Sequence, residues 1–451
     1  MGSKHTIEEL QQWQALPLNV KVLMTKDRIR QWVNEYGEDG VYVSFSGGKD
    51  STVLLDLVRQ SYPNVPAVFI DTGLEYPEIR EFVKTFDNVE WIKPKYNFRK
   101  VIEKYGYPFI SKEVSECVYG ARKYLTQIIA ESSLDRPTDR PTDRPTDTVQ
   151  VLVRESYWNG SISETSEQTD IISTREKRKN YLERTDMASL FRNSGGGTTT
   201  SGVNSEELAN ILNERMVNKS GGSNRRLAIM LGMLTNDKDH PIKANIPSKD
   251  RSMFSQERYS FMLDAPFEVS NICCKVMKKE PASRYHKQTG RNPITAQMAS
   301  ESRLRTQKWL QNGCNGFDLK RPISNPMAFW TEQDVLLYIY QNKLSICSVY
   351  GDVVKDQGEI DGQMDLEDCF GKELFDLDRP LLKTTGCNRT GCMYCGFGCQ
   401  LEKLGEGRFE RMKKTHPKQY DYIMRPWEEG GLNYKEIIDW INEHGNFNIR
   451  Y

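Results

Sequence analysis

Excess charge of either sign is missing: 62 lysines and arginines stand against 62 aspartates and glutamates, so no global field draws the chain to nucleic acid or anionic lipid. Long apolar runs are missing too. Nothing reaches the roughly eighteen residues that a membrane-spanning helix needs. Met1-Gly2-Ser3-Lys4-His5 leads into the polar stretch Thr6 to Gln14 rather than an apolar signal core. The expectation is a cytoplasmic protein with no membrane partner. Histidine is scarce, and His240, His286, His416 and His444 share no spacing that makes a metal site or a catalytic triad. Cysteine is sparse for a disulfide framework, with 10 in 451 residues, yet four fall between Cys387 and Cys399, a crowding that reads as metal binding.

The residues that are present alternate in character. Residues 20 to 36 carry Val20, Val22, Leu23, Ile29 and Val33 at helical spacing and end at the turn Gly37 to Gly40. Val41-Tyr42-Val43-Ser44-Phe45 is β-branched and aromatic, Thr52 to Tyr62 is an amphipathic helix, and Ala67 to Ile70 is a second strand. A helix from Pro77 to Phe86 and a strand from Asn88 to Ile92 come next. This alternation predicts an α/β fold with a doubly wound, mostly parallel sheet. Later segments predict a strand over Pro293 to Met298, a helix over Thr331 to Gln341 with Thr331 as cap, and helices over Arg408 to Met424 and Tyr434 to Glu443.

Between about 131 and 225 the pattern stops. Asp-Arg-Pro-Thr is written three times from Asp135 to Thr146, and Ser, Thr, Asn and Gly dominate the rest of the stretch, apart from a helical pattern at Glu206 to Val217. Such composition buries too little apolar surface to offset chain entropy, so a flexible insertion is expected. The expected organisation is a first domain half at 1–130, the insertion at 131–225, the second half at 226–350, and a cysteine-rich C-terminal region at 351–451.

Ser46-Gly47-Gly48-Lys49-Asp50-Ser51 joins the first strand to its helix, where open α/β sheets bind ligands. The glycines let the backbone approach a polyphosphate, the helix-start N–H groups donate to its oxygens, and Lys49 adds a full charge. The four-residue spacer of a Walker A loop is absent, and Asp50 after the lysine suits recruitment of Mg²⁺. Ser44, Ser46, Gly47, Gly48, Lys49, Asp50 and Ser51 are therefore candidate nucleotide-binding residues, with Lys49 and Asp50 also catalytic candidates.

SFSGGKDS followed by FIDTGLEYPEIREF resembles the PP-loop ATP-pyrophosphatase superfamily, and within it the phosphoadenylyl-sulfate (PAPS) and adenylyl-sulfate reductases. The resemblance continues through Cys273-Cys274-Lys275-Val276-Met277-Lys278, Arg321-Pro322-Ile323-Ser324, Trp330-Thr331-Glu332-Gln333-Asp334-Val335 and Cys392-Met393-Tyr394-Cys395, in the family's order. It implies an adenine nucleotide α-hydrolase-like fold, binding of ATP or an adenylyl-sulfate nucleotide, and Asp71, Thr72 and Gly73 lining the nucleotide crevice. It also implies a [4Fe–4S] cluster on Cys273, Cys274, Cys392 and Cys395, with zinc as the alternative occupant. The local set Cys387, Cys392, Cys395 and Cys399 competes, having the spacing of plant-type ferredoxins and of closed zinc sites. Cys117, Cys314, Cys347 and Cys369 stand alone and are expected to be small buried side chains.

Two departures from the family bear on function. No Glu-Cys-Gly segment follows Cys399, so an external thiol donor, Cys387 or Cys399 takes the place of the family's tail cysteine. Met298 and Ala299 stand where the family has an Arg-Arg pair, leaving Ser302 and Arg305 and making Arg305 the candidate anion clamp and third catalytic candidate. These departures admit a second function, an ATP-dependent sulfur transferase modifying RNA or DNA through an adenylate. Lys403 to Arg425 mixes basic residues with Phe409, Tyr420 and Tyr422 in the manner of nucleic-acid surfaces. A non-catalytic, nucleotide-sensing cluster protein is the third reading.

Overall fold

A computed structural model describes residues 4–134, 223–235, 246–356, 380–403 and 407–451, with positions 209, 212, 242, 243 and 405; for 125–134, 223, 224 and 248 only the backbone is described. The insertion expected at 131–225 lies almost wholly outside these residues, as does Cys369. Two compact units emerge, one from residues 1–104 and 272–395, the other from 105–271 and 396–451.

The first unit holds a six-stranded sheet. Its strands are β1 (Val41–Ser44), β2 (Ala67–Ile70), β3 (Val89–Ile92), β4 (Asn292–Ile294), β5 (Asn315–Gly316) and β6 (Ile323–Ser324), in the spatial order β3-β2-β1-β4-β6-β5. All pairings are parallel except that of β5 with β6. From β1 the chain winds outward through β2 and β3, then returns to lay β4 on the other side of β1, with Val43 opposite both Ala67 and Ile294. Order reverses between β1 and β4, and such a switch point opens a crevice at the carboxyl ends of the strands.

Period-2 alternation decides what each face buries. Val41, Val43 and Phe69 point into the large core with Trp32, Leu54 and Trp330, so the helices Leu18–Tyr36, Lys49–Arg59 and Glu332–Asn342 cover that face. Tyr42 and Val68 point the other way and meet Tyr285 of the helix Glu280–Thr289. Helices on both faces make the sheet doubly wound. The helix Lys49–Arg59 buries Val53, Leu54, Leu55, Leu57 and Val58, each stabilising the fold by about 1.5–3 kcal/mol. A buried ion pair ties the core's edge, Lys21 Nζ donating to Asp334 Oδ2 at 2.7 Å with both side chains fully enclosed.

Most element boundaries differ from the sequence expectation by one to three residues, and in three places the reason is physical. The helix after the phosphate loop starts at Lys49 rather than Thr52, because Gly48 in extended conformation is its cap. The strand expected to reach Met298 ends at Ile294. Thr295 N–H still donates to Ser324 O at 2.8 Å, and beyond it the backbone leaves the ladder, with Met298 N–H donating to the Glu301 side chain at 3.0 Å. The helix expected over 408–424 is two helices, Arg408–Thr415 and Pro417–Met424, since Pro417 has no N–H to continue the first.

In the second unit, Phe109–Ile110 pairs in parallel with Gly396–Phe397. Phe109, Phe409 and Tyr434 form its aromatic centre, with ring centroids 5.1 to 6.5 Å apart. The helices Lys112–Leu134 and Tyr434–Gly445 belong to this unit. No helix of the described residues is long and apolar enough to cross a membrane.

Candidate functional site

The phosphate loop is shaped by sterics. Gly47 adopts φ +69, and a Cβ there would stand 2.8 Å from Val83 Cγ2 and 2.9 Å from Ile79 Cγ2, so only glycine fits. Ser46 and Ser51 close the turn, their hydroxyls 3.0 Å apart, while Ser51 Oγ also donates to Gly48 O at 2.9 Å. Backbone N–H groups at the start of the following helix are thereby collected beside Lys49.

Lys49 is almost fully buried and already occupied. Its ammonium donates to Asn388 O at 2.7 Å, pairs with Glu332 Oε1 at 2.9 Å and lies 5.5 Å from the centre of the Tyr350 ring. Its backbone N–H donates to Tyr350 Oη at 3.2 Å, and that hydroxyl is 2.6 Å from Thr390 Oγ1. Burial pushes the Tyr350 phenol up to about 12, so it remains a neutral hydroxyl near pH 7. Asp50 Oδ1 is buried with no hydrogen-bond partner among the described residues. Burial raises the Asp50 pKa and Glu332 adds to the rise, while Lys49, Arg389 and Arg305 oppose it.

A cavity of about 550 Å³ opens at the switch point. Tyr42, Ser44 and Ser46 form one wall; Lys278, Lys279, His286 and Arg321 supply basic groups, and Glu75 is its acidic member. Of the nucleotide-binding residues expected from the sequence, Ser44 and Ser46 line this cavity, whereas Gly47 to Ser51 and Asp71, Thr72 and Gly73 are not among its lining residues. Asp71 Oδ2 accepts from Arg80 at 2.9 Å, and Thr72 Oγ1 donates to Glu75 Oε1 at 2.6 Å. Gly73 adopts φ +74 just before Leu74, whose carbonyl accepts the Met393 N–H at 2.8 Å, bringing the Cys392 to Cys395 turn beside the loop after β2.

The thiols of Cys273, Cys274, Cys392 and Cys395 all belong to the first unit and lie within electrostatic reach of one another. Burial, then the thiolates of Cys392, Cys274 and Cys395, push the Cys273 pKa up. Burial likewise pushes Cys392 up to about 11. Four such thiols do not ionise together without positive charge among them, and the Lys278 ammonium lies beside Cys392 and Cys274. Among the described residues, no three His, Cys, Asp or Glu side chains gather closely enough to hold a single ion. Of the competing set, Cys387 is buried with its sulfur 4.0 Å from Tyr76 Oη, and Cys399 is buried in a short turn of the second unit. Cys117, Cys314 and Cys347 are buried, as expected of lone cysteines.

Several residues of the site received no role from the sequence, although Lys278 and Glu332 stand inside two of the quoted motifs. Lys278 and Lys279 close a five-residue π-helical turn, Lys275–Lys279, and such turns recur at functional sites. The Lys278 side chain is exposed along the cavity; partial desolvation of its ammonium pulls the pKa down, but Cys392, Glu75 and Cys274 together hold it above the ordinary value. Tyr350, Thr390, Asn388, Glu332 and Arg389 reach the phosphate loop only through long-range packing. The lysine pair shortly after Cys-Cys and Arg321 of the Arg-Pro-Ile-Ser stretch are the local hints of the cavity's basic wall.

The model of the phosphoadenosine phosphosulfate reductase domain matches residues 40–112 and 225–396, more than half of the chain. The chain belongs to the phosphoadenosine phosphosulfate reductase family. Among curated members, the adenosine 5'-phosphosulfate reductase of Geobacillus kaustophilus is 35% identical over 19% of this chain and 33% of its own length. An uncharacterized protein of Methanocaldococcus jannaschii is 41% identical over 15% and 18%, and the phosphoadenosine 5'-phosphosulfate reductase of Xylella fastidiosa 32% identical over 16% and 30%. This family member thus aligns with a third or less of the length of these relatives. A solved phosphate complex of the PAPS reductase of Candida auris aligns over 77% of this chain and 92% of its own at 11% identity, but its TM-score of 0.29 is too low to carry argument.

The stretch 403–425 gives this family member no aromatic platform at Phe409, which is buried against Phe109 and Tyr434. Arg408 and Arg425 are paired with Glu402 and Asp421, and Lys413 lies 5.4 Å from the centre of the Tyr420 ring.

Proposed function

We propose that the chain binds an adenylyl-sulfate-type nucleotide in the switch-point cavity and reduces it, with Ser44, Ser46, Gly47, Gly48, Lys49 and Ser51 holding the phosphates. The observation that carries this reading is Lys278, which lines the cavity and hydrogen-bonds the Cys392 sulfur. One ammonium thereby links the ligand space to the thiol set. Cys273, Cys274, Cys392 and Cys395 would hold a [4Fe–4S] cluster, whose thiolate ligands spread wider than those of one zinc ion; bound there, it would supply fixed charge beside the cavity. The unpartnered Asp50 Oδ1 suits a Mg²⁺ ligand beside the phosphates. Asp71, Thr72 and Gly73 support the loop that carries Glu75 into the cavity wall.

In this reading a thiolate attacks the sulfate sulfur, the bond to the phosphate oxygen breaks, AMP leaves, and an S-sulfonate (R–S–SO3−) remains on the attacking thiol. A second thiol then forms a disulfide with it and releases sulfite. Cys387 and Cys399 are both buried, so an external thiol reductant supplies the attacking group. The relatives named as reductases favour the same substrate class. The domain reading that accompanies it is a nucleotide-binding body interrupted at 131–225 and completed by the cysteine-bearing segment.

The test is anaerobic purification with iron, sulfide and zinc analysis, then separate incubation with adenylyl sulfate and with ATP. Iron with sulfite release from adenylyl sulfate and a dithiol is expected. Pyrophosphate release from ATP stimulated by RNA or DNA, without sulfite, would replace the reductase by the sulfur transferase. Serine at Cys273 or Cys392 should remove the iron, whereas serine at Cys387 or Cys399 should keep it.

A further inference from the structure

Arg305 and Arg389 are held side by side by a single carboxylate. Glu301 Oε1 accepts from Arg389 Nη2 at 2.9 Å, and Glu301 Oε2 pairs with Arg305 Nη1. Oε2 also accepts the Met298 N–H at 3.0 Å, which anchors the carboxylate to the backbone, and the Glu301 side chain is 15% exposed. The two arginines come from distant segments. Arg305 sits in the first turn of the helix Arg303–Asn312, capped by Ser302, while Arg389 precedes Thr390 and Gly391 of the cavity lining.

This arrangement leaves positive charge to be answered. A guanidinium has five N–H donors in a rigid fork, and Glu301 engages one edge of each. The Arg305 and Arg389 side chains remain 36% and 60% exposed, so their other donors are open to a ligand. The two cations repel each other, burial and the Arg389 charge both lowering the Arg305 pKa. Both also act on Asp50, which places them within electrostatic reach of the phosphate loop. Planar forks presented together suit bidentate recognition of a tetrahedral oxyanion.

We propose that Arg305 and Arg389, braced by Glu301, form the clamp for the terminal phosphate or sulfate of the bound nucleotide, with Arg389 as its specificity-determining residue. Arg389 then supplies, from the cysteine-bearing loop, a guanidinium that Met298 and Ala299 do not. The clamp rests on the nucleotide reading of the cavity, and adds to it the ligand's end group and the residue that selects it.

Calorimetric titration of the full-length chain with adenosine, AMP, adenylyl sulfate and ATP at one ionic strength tests the clamp, using wild type, Arg389→Ala, Arg389→Lys and Glu301→Gln. Arg389→Ala should weaken adenylyl sulfate or ATP by roughly 10–100-fold, the loss of a charge-assisted contact, while AMP and adenosine shift less than about twofold. Whichever of the two loses more identifies sulfate or phosphate as the end group. Arg389→Lys should recover part of the loss, keeping charge without the fork, and Glu301→Gln should weaken the same ligand through misplacement of both arginines. Unchanged binding in Arg389→Ala, or an equal loss for all four ligands, overturns the clamp while leaving the cavity's nucleotide reading standing. Wild type that binds none of the four removes that reading, and the clamp falls with it.

Discussion

The phosphate loop at residues 46–51 and the loop at residues 385–391 meet at Lys49, whose backbone N–H and ammonium end on Tyr350 and Asn388, 301 and 339 positions away. The first loop is written locally: a strand, two glycines, a lysine and a helix start, each needed where it stands. The second has no local signature. Asn388, Arg389 and Thr390 acquire roles only because Thr384, Thr385 and Gly386 are fastened to the turn around Tyr350, with Gly386 N–H donating to Tyr350 O at 2.8 Å. One half of the site is a motif, and the other is a consequence of packing.

The largest expected effect strikes the fastening itself. Lys21 and Asp334 join the helix Leu18–Tyr36 to the helix that carries Glu332, and both side chains are fully buried. Lys21→Met should cost about 3–5 kcal/mol in urea unfolding, because Asp334 is left charged and enclosed. Adding Asp334→Leu should restore part of that, limited by loss of the Thr331–Asp334 capping box, a contribution of about 1 kcal/mol. A single mutant within about 0.5 kcal/mol of wild type would show that the long-range half does not depend on this pair.

Lys49→Ala probes the local half. Each charge-assisted bond to a phosphate contributes about 1.5–3 kcal/mol, so nucleotide affinity should fall roughly 10–150-fold by calorimetry. Wild-type affinity in the mutant would remove the phosphate-loop assignment.

Legibility follows the same division. The order β1, helix, β2, helix, β3 and the return strand are readable because hydrophobic period and turn chemistry are local properties of Val41 to Ile92. The far edge of the sheet is not, since β5 and β6 are two residues long and leave no periodic trace. In the site, Ser46 to Ser51 announce themselves, whereas Lys278 depends on a π-helical turn and Arg389 on an ion pair with Glu301, 88 positions away. The helix at Arg408 is shorter than its amphipathic pattern, which runs on through Pro417 while the backbone does not.

Tyr350→Phe sits between the halves. It keeps the ring against the Lys49 ammonium and removes the hydroxyl shared by Lys49 N–H and Thr390 Oγ1. Losing these neutral bonds should cost about 1–2 kcal/mol of stability, with nucleotide affinity falling less than for Lys49→Ala. A silent substitution would mean that the loop at 385–391 holds its own shape.

The smallest effect has the most informative sign. Glu332 is half exposed, so its pair with the buried Lys49 ammonium is screened on one side and contributes under about 1 kcal/mol. An arriving phosphate competes with that carboxylate for the same ammonium. Glu332→Gln should therefore raise nucleotide affinity, by up to about fivefold at low salt and less at high salt, with little change in unfolding midpoint. Lowered affinity would instead make Glu332 the group that positions Lys49 for the ligand. The long-range half of the site would then be preparing the motif rather than restraining it.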